Sequence, residues 1–399
     1  MDAKTIQRRY DLDWLRVLTI LAIFVFHCTR AFDPDGWHIK NPTTYMFLDV
    51  WKDFATSWGL PLILLISGAS VYYAMGKVSA GKYVVGILAR LFVPLIVGIF
   101  THVAFQVYLE NLQKGTFNGS FFQWYPHYFD GMAGFGGNFN WAGSHLWYLE
   151  MLFIYSLLFL PLFVWLKKGT WGQRVLKWLG DIPERFGTVI LFALPVILLI
   201  NALDPDTWGI RELGGWSVFI YPCFFISGFV IVSNERLQIR IRETRWPSWV
   251  LGVVLSAGYL FLNFSPSLLD LSPLVWHVRD TLLSLSAWSW LLAVLGLGMK
   301  HLNFNNSFLK YANEAVLPFY ILHQIVIVSL GYFVVGWAIP DLLKFVIILV
   351  VSFPVTVGLY EFGVRRFNVM RFLFGMKLLA KPVDLQTKEA QVEEVARTM

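Results

Sequence analysis

The chain has 399 residues, 57% of them hydrophobic, 17% aromatic and only 15% charged. A soluble domain carries about a quarter charged residues, so this composition excludes a large soluble globule and indicates a surface that faces lipid. The net charge of +6 does not indicate nucleic acid, because Lys and Arg fall in short stretches between apolar runs, a pattern of membrane topology.

A bilayer core needs roughly 20 apolar residues per helix. In chain order that ruler predicts ten membrane helices: Leu12–Phe32, Phe54–Met75, Tyr83–Leu109, His145–Trp165, Gly187–Leu203, Gly214–Ser233, Trp249–Phe264, Thr281–Met299, Ala315–Val335 and Leu342–Phe362. Lys4, Arg8 and Arg9 precede the first run, but no small-residue cleavage site follows it, so a membrane helix is expected rather than a removed leader. The third run is long enough to tilt. Residues 1–371 are expected to form one all-α transmembrane domain and residues 372–399 a cytoplasmic tail. Cys28 and Cys223 lie inside apolar runs, show no metal-ligand spacing and read as buried small hydrophobes.

The loops give an orientation. Lys77 and Lys82, then Lys167, Lys168, Arg174, Lys177 and Arg185, then Arg236, Arg240, Arg242 and Arg245, then Lys300 and Lys310, and finally Arg365, Arg366, Arg371, Lys377 and Lys381 occupy alternate connections. The intervening loops carry Asp33, Asp35, Asp130, Asp204, Asp206, Asp270 and Asp341 instead. The positive-inside rule therefore predicts both termini in the cytoplasm.

Ionisable groups inside a bilayer are costly and ask for a reason. The first helix holds Arg16 and His27, separated by ten residues. At about 100° per residue both fall on nearly the same face, roughly 16 Å apart along the axis. Arg16 alone reads equally well as a snorkelling anchor, and His27 alone as a satisfied core histidine. Their shared face favours a shared cavity. An imidazole can take a proton from an attacking hydroxyl, which makes His27 the candidate base. His145 opens the fourth helix near the level of His27. Glu150 follows about 140° around the helix from it, where it pairs with a histidine elsewhere or stays neutral. His323 lies near mid-membrane, with a structural hydrogen bond as its plain reading, and His102 is taken as structural. Between Asn111 and Ser144 a glycine-rich outer loop carries Trp124, Tyr128 and Trp141 among many aromatics. It is expected to form either an interfacial belt or a lid offering aromatic faces to sugar rings.

The segment Asp11-Leu-Asp-Trp-Leu-Arg16, followed after ten residues by His27, resembles the opening helix of acyltransferase family 3. Pro61-Leu-Ile-Leu-Leu-Ile-Ser67-Gly68, His145-Leu-Trp147-Tyr148-Leu and Phe319-Tyr320-Ile-Leu-His323-Gln324 are similar to later motifs of that family, in the same order. The resemblance implies a membrane O-acyltransferase that moves an acyl group from cytoplasmic acyl-CoA to hydroxyls of outward-facing sugars, glycans or glycolipids. It implies no tightly bound cofactor and a bacterial inner-membrane location. Arg16 and Arg90 would then meet the donor phosphates, because a guanidinium fork suits phosphate. The family often carries an Arg-x-x-Arg pair here. This chain has Ile87 in place of the first arginine, which makes Lys82 a substitute candidate. Trp147, Tyr148 and Tyr320, with the loop aromatics, would line the acceptor side. His27 would act as general base, a covalent acyl-histidine being the alternative. A carrier or flippase is the competing function, although no inverted repeat is visible.

Overall fold

Apolar runs between glycine- and basic-rich breaks become helices in the computed structural model, which describes residues 8–186, 188–203 and 213–379. Among those residues the secondary structure is entirely helical apart from two isolated bridges, so the chain is a polytopic all-α membrane protein. The apolar helices are α1 (Tyr10–Thr29), α2 (Met46–Met75), α3 (Ala80–Lys114), α4 (Ser144–Leu158), α5 (Leu160–Lys168), α7 (Ile190–Ala202), α8 (Tyr221–Ser233), α10 (Arg245–Asn263), α11 (Pro273–His301), α12 (Ser307–Val334) and α13 (Asp341–Val364). Two polar or amphipathic helices, α6 (Thr170–Phe186) and α9 (Glu235–Glu243), lie between them.

Seven of these helices are long and apolar enough to cross a membrane. The fourth expected segment is instead a pair, α4 and α5, bent by 50°, with Pro161 at the start of the second piece where it cannot donate to the preceding turn. The fifth and sixth are shorter than expected. α8 has 13 residues, about 20 Å of helix against a core of about 30 Å. Gly187 and residues 204–212, at the edges of these two segments, lie outside the described residues. The stretch after Lys168, expected to be a loop, is the amphipathic α6. It buries Gly172, Leu176 and Gly180 on one face and exposes Trp171, Arg174 and Trp178 on the other, a pattern suited to the membrane surface.

Helix α2 is the spine. Pro61 through Ala69 are all buried, and α2 packs most extensively on α8. A Cβ built on Gly68 would overlap the carbonyl oxygen of Phe225, and one on Gly228 would overlap that of Leu65. This reciprocal pair of glycines lets two backbones touch, as small residues do between membrane helices. Helix α1 lies against α2 and α12, α12 against α13, and α10 against α11. One end of the bundle gathers the cations: Arg9 donates to Gln238, Lys167 to the carbonyl of Tyr72, and Arg371 to Glu314. The opposite end, the loop end, carries residues 31–45 and the segment between α3 and α4. Arg371 and Phe374 are buried, so the packed bundle continues past residue 371. The remainder of the expected tail, 380–399, lies outside the described residues.

Candidate active site

Between α1, α2, α4, α11 and α12 lies a cavity of about 1130 Å³. Its wall on α1 runs from Leu15 through Thr19, Ile23 and His27 to Arg30, about 22 Å at 1.5 Å per residue. It opens among Asp35, His38 and Lys114 at the loop end. The volume exceeds the usual 300–1,000 Å³ of a pocket for one drug-sized ligand.

Three histidines meet here: His27 and His145 line the cavity, and His323, which does not, packs against both. Ring centroids lie 5.0 Å apart for His27 and His323, 5.3 Å for His145 and His323, and 6.3 Å for His27 and His145. His323 is fully buried. Its Nδ1 sits 2.7 Å from the carbonyl oxygen of Tyr320 and 3.3 Å from that of Phe319. A carbonyl only accepts, so this Nδ1 carries the proton and, in the neutral ring, Nε2 accepts. Nε2 of His323 is 2.8 Å from Nδ1 of His27, which must then donate. The unprotonated nitrogen of His27 is therefore Nε2, on the ring edge with no protein partner among the described residues, in a side chain that lines the cavity. His145 is anchored differently. Its Nε2 donates to the carbonyl of Ile321 at 3.2 Å, its own carbonyl accepts from the Tyr320 hydroxyl, and its Nδ1 is buried without a partner among the described residues. It follows Gly143 and Ser144, both left-handed, with φ of 73° and 49°. For Ser144 that conformation costs of order 1–3 kcal/mol. A clamp from Asn140 holds it, accepting from the Ser144 amide at 3.2 Å and donating to its hydroxyl at 2.9 Å.

A family model described as an acyltransferase domain matches residues 9–361. The chain belongs to acyltransferase family 3. Glucans biosynthesis protein C from Salmonella paratyphi B, Salmonella heidelberg and Salmonella agona are each 22% identical to it over 404 residues, covering 96% of this chain and 98% of the relative. No solved structure matches the chain.

The remaining expected site residues of this acyltransferase divide into those on the cavity wall and those away from it. Trp147, Tyr148 and Tyr320 line the cavity with His27 and His145. Tyr148 donates to the Ser67 hydroxyl at 2.6 Å, which itself donates to the carbonyl of Ile63, so the Ser67-Gly68 motif positions this tyrosine. Arg16 lies just beyond the cavity wall at the basic end. It donates to Ser70 at 2.7 Å, to Asp13 at 3.1 Å and to Asn313 at 3.2 Å, tying α1 to α2 and α12. Arg90 sits in a π-helical turn, Leu88–Phe92, exposed and without a partner among the described residues, close enough to Arg16 for the two charges to interact. Lys82 is exposed on the first turn of α3 and does not reach the cavity.

Glu150 does not line the cavity and pairs with no histidine; one of its carboxylate oxygens is buried without a partner among the described residues. The aromatic loop also differs from a lid turned toward the cavity. Trp124 and Tyr128 are fully buried in an aromatic cluster with Tyr108 and Phe139, and Tyr128 donates to the carbonyl of Ile99. Trp141 is 46% exposed, outside the cavity. Such rings cluster because an aromatic side chain typically buries about 150–250 Å² of surface.

Sequence reasoning missed the polar mouth of the cavity. His38 donates from Nδ1 to Glu110 at 2.6 Å, and Lys114 pairs with the other Glu110 oxygen at 2.5 Å. Lys52 binds Asp35 and Asp49. Arg30 pairs with the fully buried Asp33 at 2.5 Å, as does Lys40 at 3.1 Å. Burial pushes the Asp33 carboxyl up and the Lys40 ammonium down from their ordinary values. Burial works to raise the Asp35 carboxyl, but the bond and charge of Lys52 together with the charges of Arg30 and Lys40 pull it down from its ordinary value. These residues sit in a loop and at helix ends, where no periodicity marks them. The available signal was the density of charged side chains between Arg30 and Asp53. Gln324, beside His323, donates to Gln106 at 3.0 Å and lines the cavity.

Proposed function

We propose that this acyltransferase moves an acyl group from cytoplasmic acyl-CoA to a hydroxyl of an outward-facing carbohydrate, in a bacterial inner membrane with both termini in the cytoplasm. The observation that carries the reading is the bond between His323 and His27, which lines a cavity that runs from beside Arg16 to the loop end. His323 fixes His27 with its lone pair on Nε2, the state a general base requires. The acceptor oxygen attacks the thioester carbonyl carbon while Nε2 of His27 takes the hydroxyl proton, worth about 10²–10⁴-fold. The carbon–sulfur bond then breaks and the proton passes from His27 to the departing thiolate, so the products are the ester and free CoA. Arg16 and Arg90 would hold the donor phosphates at the basic end. CoA is a co-substrate in this scheme, with no resident cofactor. Relatives named for glucan biosynthesis support a glucan as the acceptor.

The test is acyl transfer in proteoliposomes beside acyl-CoA affinity for the same preparations. His27→Ala and His27→Gln should both abolish transfer and leave donor binding largely intact. Near-normal transfer by His27→Gln would remove the base assignment. A labelled acyl group trapped on His27 without acceptor would replace it with the covalent route.

A further inference from the structure

The cavity mouth holds more recognition chemistry than proton transfer needs. The loop that carries His38 is fastened rigidly. The Lys40 amide donates to Gln113 at 2.8 Å, and Gln113 donates back to the Lys40 carbonyl at 2.9 Å. Lys40 also donates to the carbonyl of Arg30 at 2.9 Å. Glu110 occupies Nδ1 of His38, so a neutral His38 presents Nε2, which meets no protein group among the described residues, on a side chain that lines the cavity. Trp37 and Trp51 line the same mouth, Trp51 being 43% exposed. About two turns deeper on α2, Trp58 also lines the cavity, and its Nε1 is a buried donor without a partner among the described residues. Unsatisfied buried polar atoms are rare and ask for an explanation. Here an orphan donor on a cavity-lining indole and a lone-pair nitrogen on a cavity-lining imidazole lie beside flat aromatic faces.

The charges show which ligand fits. Arg30 pairs with Asp33, Lys40 with Asp33, Lys52 with Asp35, Asp49 and Asp53, and Lys114 with Glu110. Among the described residues every cation lining the mouth is matched by a carboxylate of the protein, and none of them is left over for an anionic ligand. A group that both donates and accepts, without charge, answers the orphan donor and the imidazole nitrogen together. Hydroxyl groups do so, and the apolar face of a sugar ring suits indole.

We propose that the loop-end mouth is a binding subsite for a neutral, hydroxyl-rich saccharide, with Trp37 and Trp51 as ring platforms and with His38 Nε2 and Trp58 Nε1 as its hydroxyl contacts. The proposal rests on the carbohydrate reading of the acceptor and assigns that acceptor's specificity to residues 37–58 rather than to the aromatic loop between α3 and α4.

The experiment measures binding of a neutral gluco-oligosaccharide to the full chain in lipid nanodiscs by calorimetry, beside the acceptor KM and kcat of transfer. His38→Asn keeps a donor for Glu110 but withdraws the cavity-facing nitrogen. His38→Gln places an amide near the Nε2 position and abandons Glu110. The subsite requires the Asn variant to lose more affinity than the Gln variant, about five- to tenfold for one hydrogen bond. Trp58→Phe, which keeps a ring but removes the donor, should lose a similar factor. Both losses should fall on Kd and acceptor KM rather than on kcat. A better Asn than Gln variant would reduce His38 to a partner for Glu110 and overturn the subsite. A loss confined to kcat would also overturn it, as would equal binding of a phosphorylated oligosaccharide. Oligosaccharide binding without any acyl transfer would retain the subsite and refute the transferase reading. Transfer to a sugar that binds independently of His38 and Trp58 would do the reverse.

Discussion

His323→Phe isolates the tautomer of His27. The phenyl ring occupies similar space and can keep the stacking against Phe319, now 6.1 Å between centroids and 5° between planes. It offers nothing to accept the proton on His27 Nδ1, now 2.8 Å from an acceptor. An N–H without a partner in such a place costs about 1–3 kcal/mol. The imidazole escapes that cost by moving its proton to Nε2, where water in the cavity receives it, but it then has no lone pair facing the acceptor. The working tautomer falls accordingly, and kcat should drop about 5- to 150-fold. Acyl-CoA affinity should stay close to that of the parent, because Arg16 is roughly 16 Å away along α1. His323→Gln puts an amide oxygen near the same place and should recover most of the rate. The assay is transfer in proteoliposomes, with donor affinity as the check on folding. A Phe variant within twofold of the parent kcat would refute the relay. A Gln variant as slow as Phe would make His323 a packing residue.

Arg16→Ala should weaken acyl-CoA binding about tenfold or more, and Arg16→Lys should recover only part, because a point charge does not reproduce a guanidinium fork; unchanged donor affinity in Arg16→Ala and Arg90→Ala would remove the phosphate assignment. Trp124→Ala should destabilise the fold by about 3–5 kcal/mol, read as loss of folded protein in detergent, since the ring is 1% exposed; a well-folded variant with a raised acceptor KM would restore the lid. Gly68→Ala should drive α2 from α8 and sharply reduce the folded yield, with little further loss in the Gly68→Ala/Gly228→Ala double variant, because one contact is broken twice; additive losses would mean independent sites. Single cysteines at Phe135 and Trp171, which are 84% and 69% exposed, should react with impermeant reagents from opposite sides of the membrane once Cys28 and Cys223 are replaced; labelling from one side would overturn the topology.

The all-helical class was legible because lipid imposes a length and an apolar composition on each crossing; seven expected segments are full-length apolar helices, the fourth is a bent pair, and the fifth and sixth are short. Their lengths were less legible. Hydropathy registers lipid contact and does not distinguish a full span from the short α7 and α8 or from the bend between α4 and α5. The same limit hid α6, whose buried Gly172, Leu176 and Gly180 show a stripe only once their packing partners are known.

The Arg16–His27 stripe was readable because both residues lie on one helix, where a fixed angle per residue converts spacing into direction. That His323 and His145 close around His27 was not readable as geometry, since these side chains come from α12 and the turn before α4, more than a hundred residues away from His27 in the chain. Aromatic composition marked the loop between α3 and α4 as a platform for a ligand, yet composition carries no direction. Tertiary packing turned Trp124 and Tyr128 toward one another and left Trp37, Trp51 and Trp58 on the cavity wall. The sequence by itself determined which groups have to be buried in the bilayer, because burial cost is a property of each residue. Only the fold decided which of them face the same space, and on which nitrogen of His27 the proton rests, because those are properties of pairs.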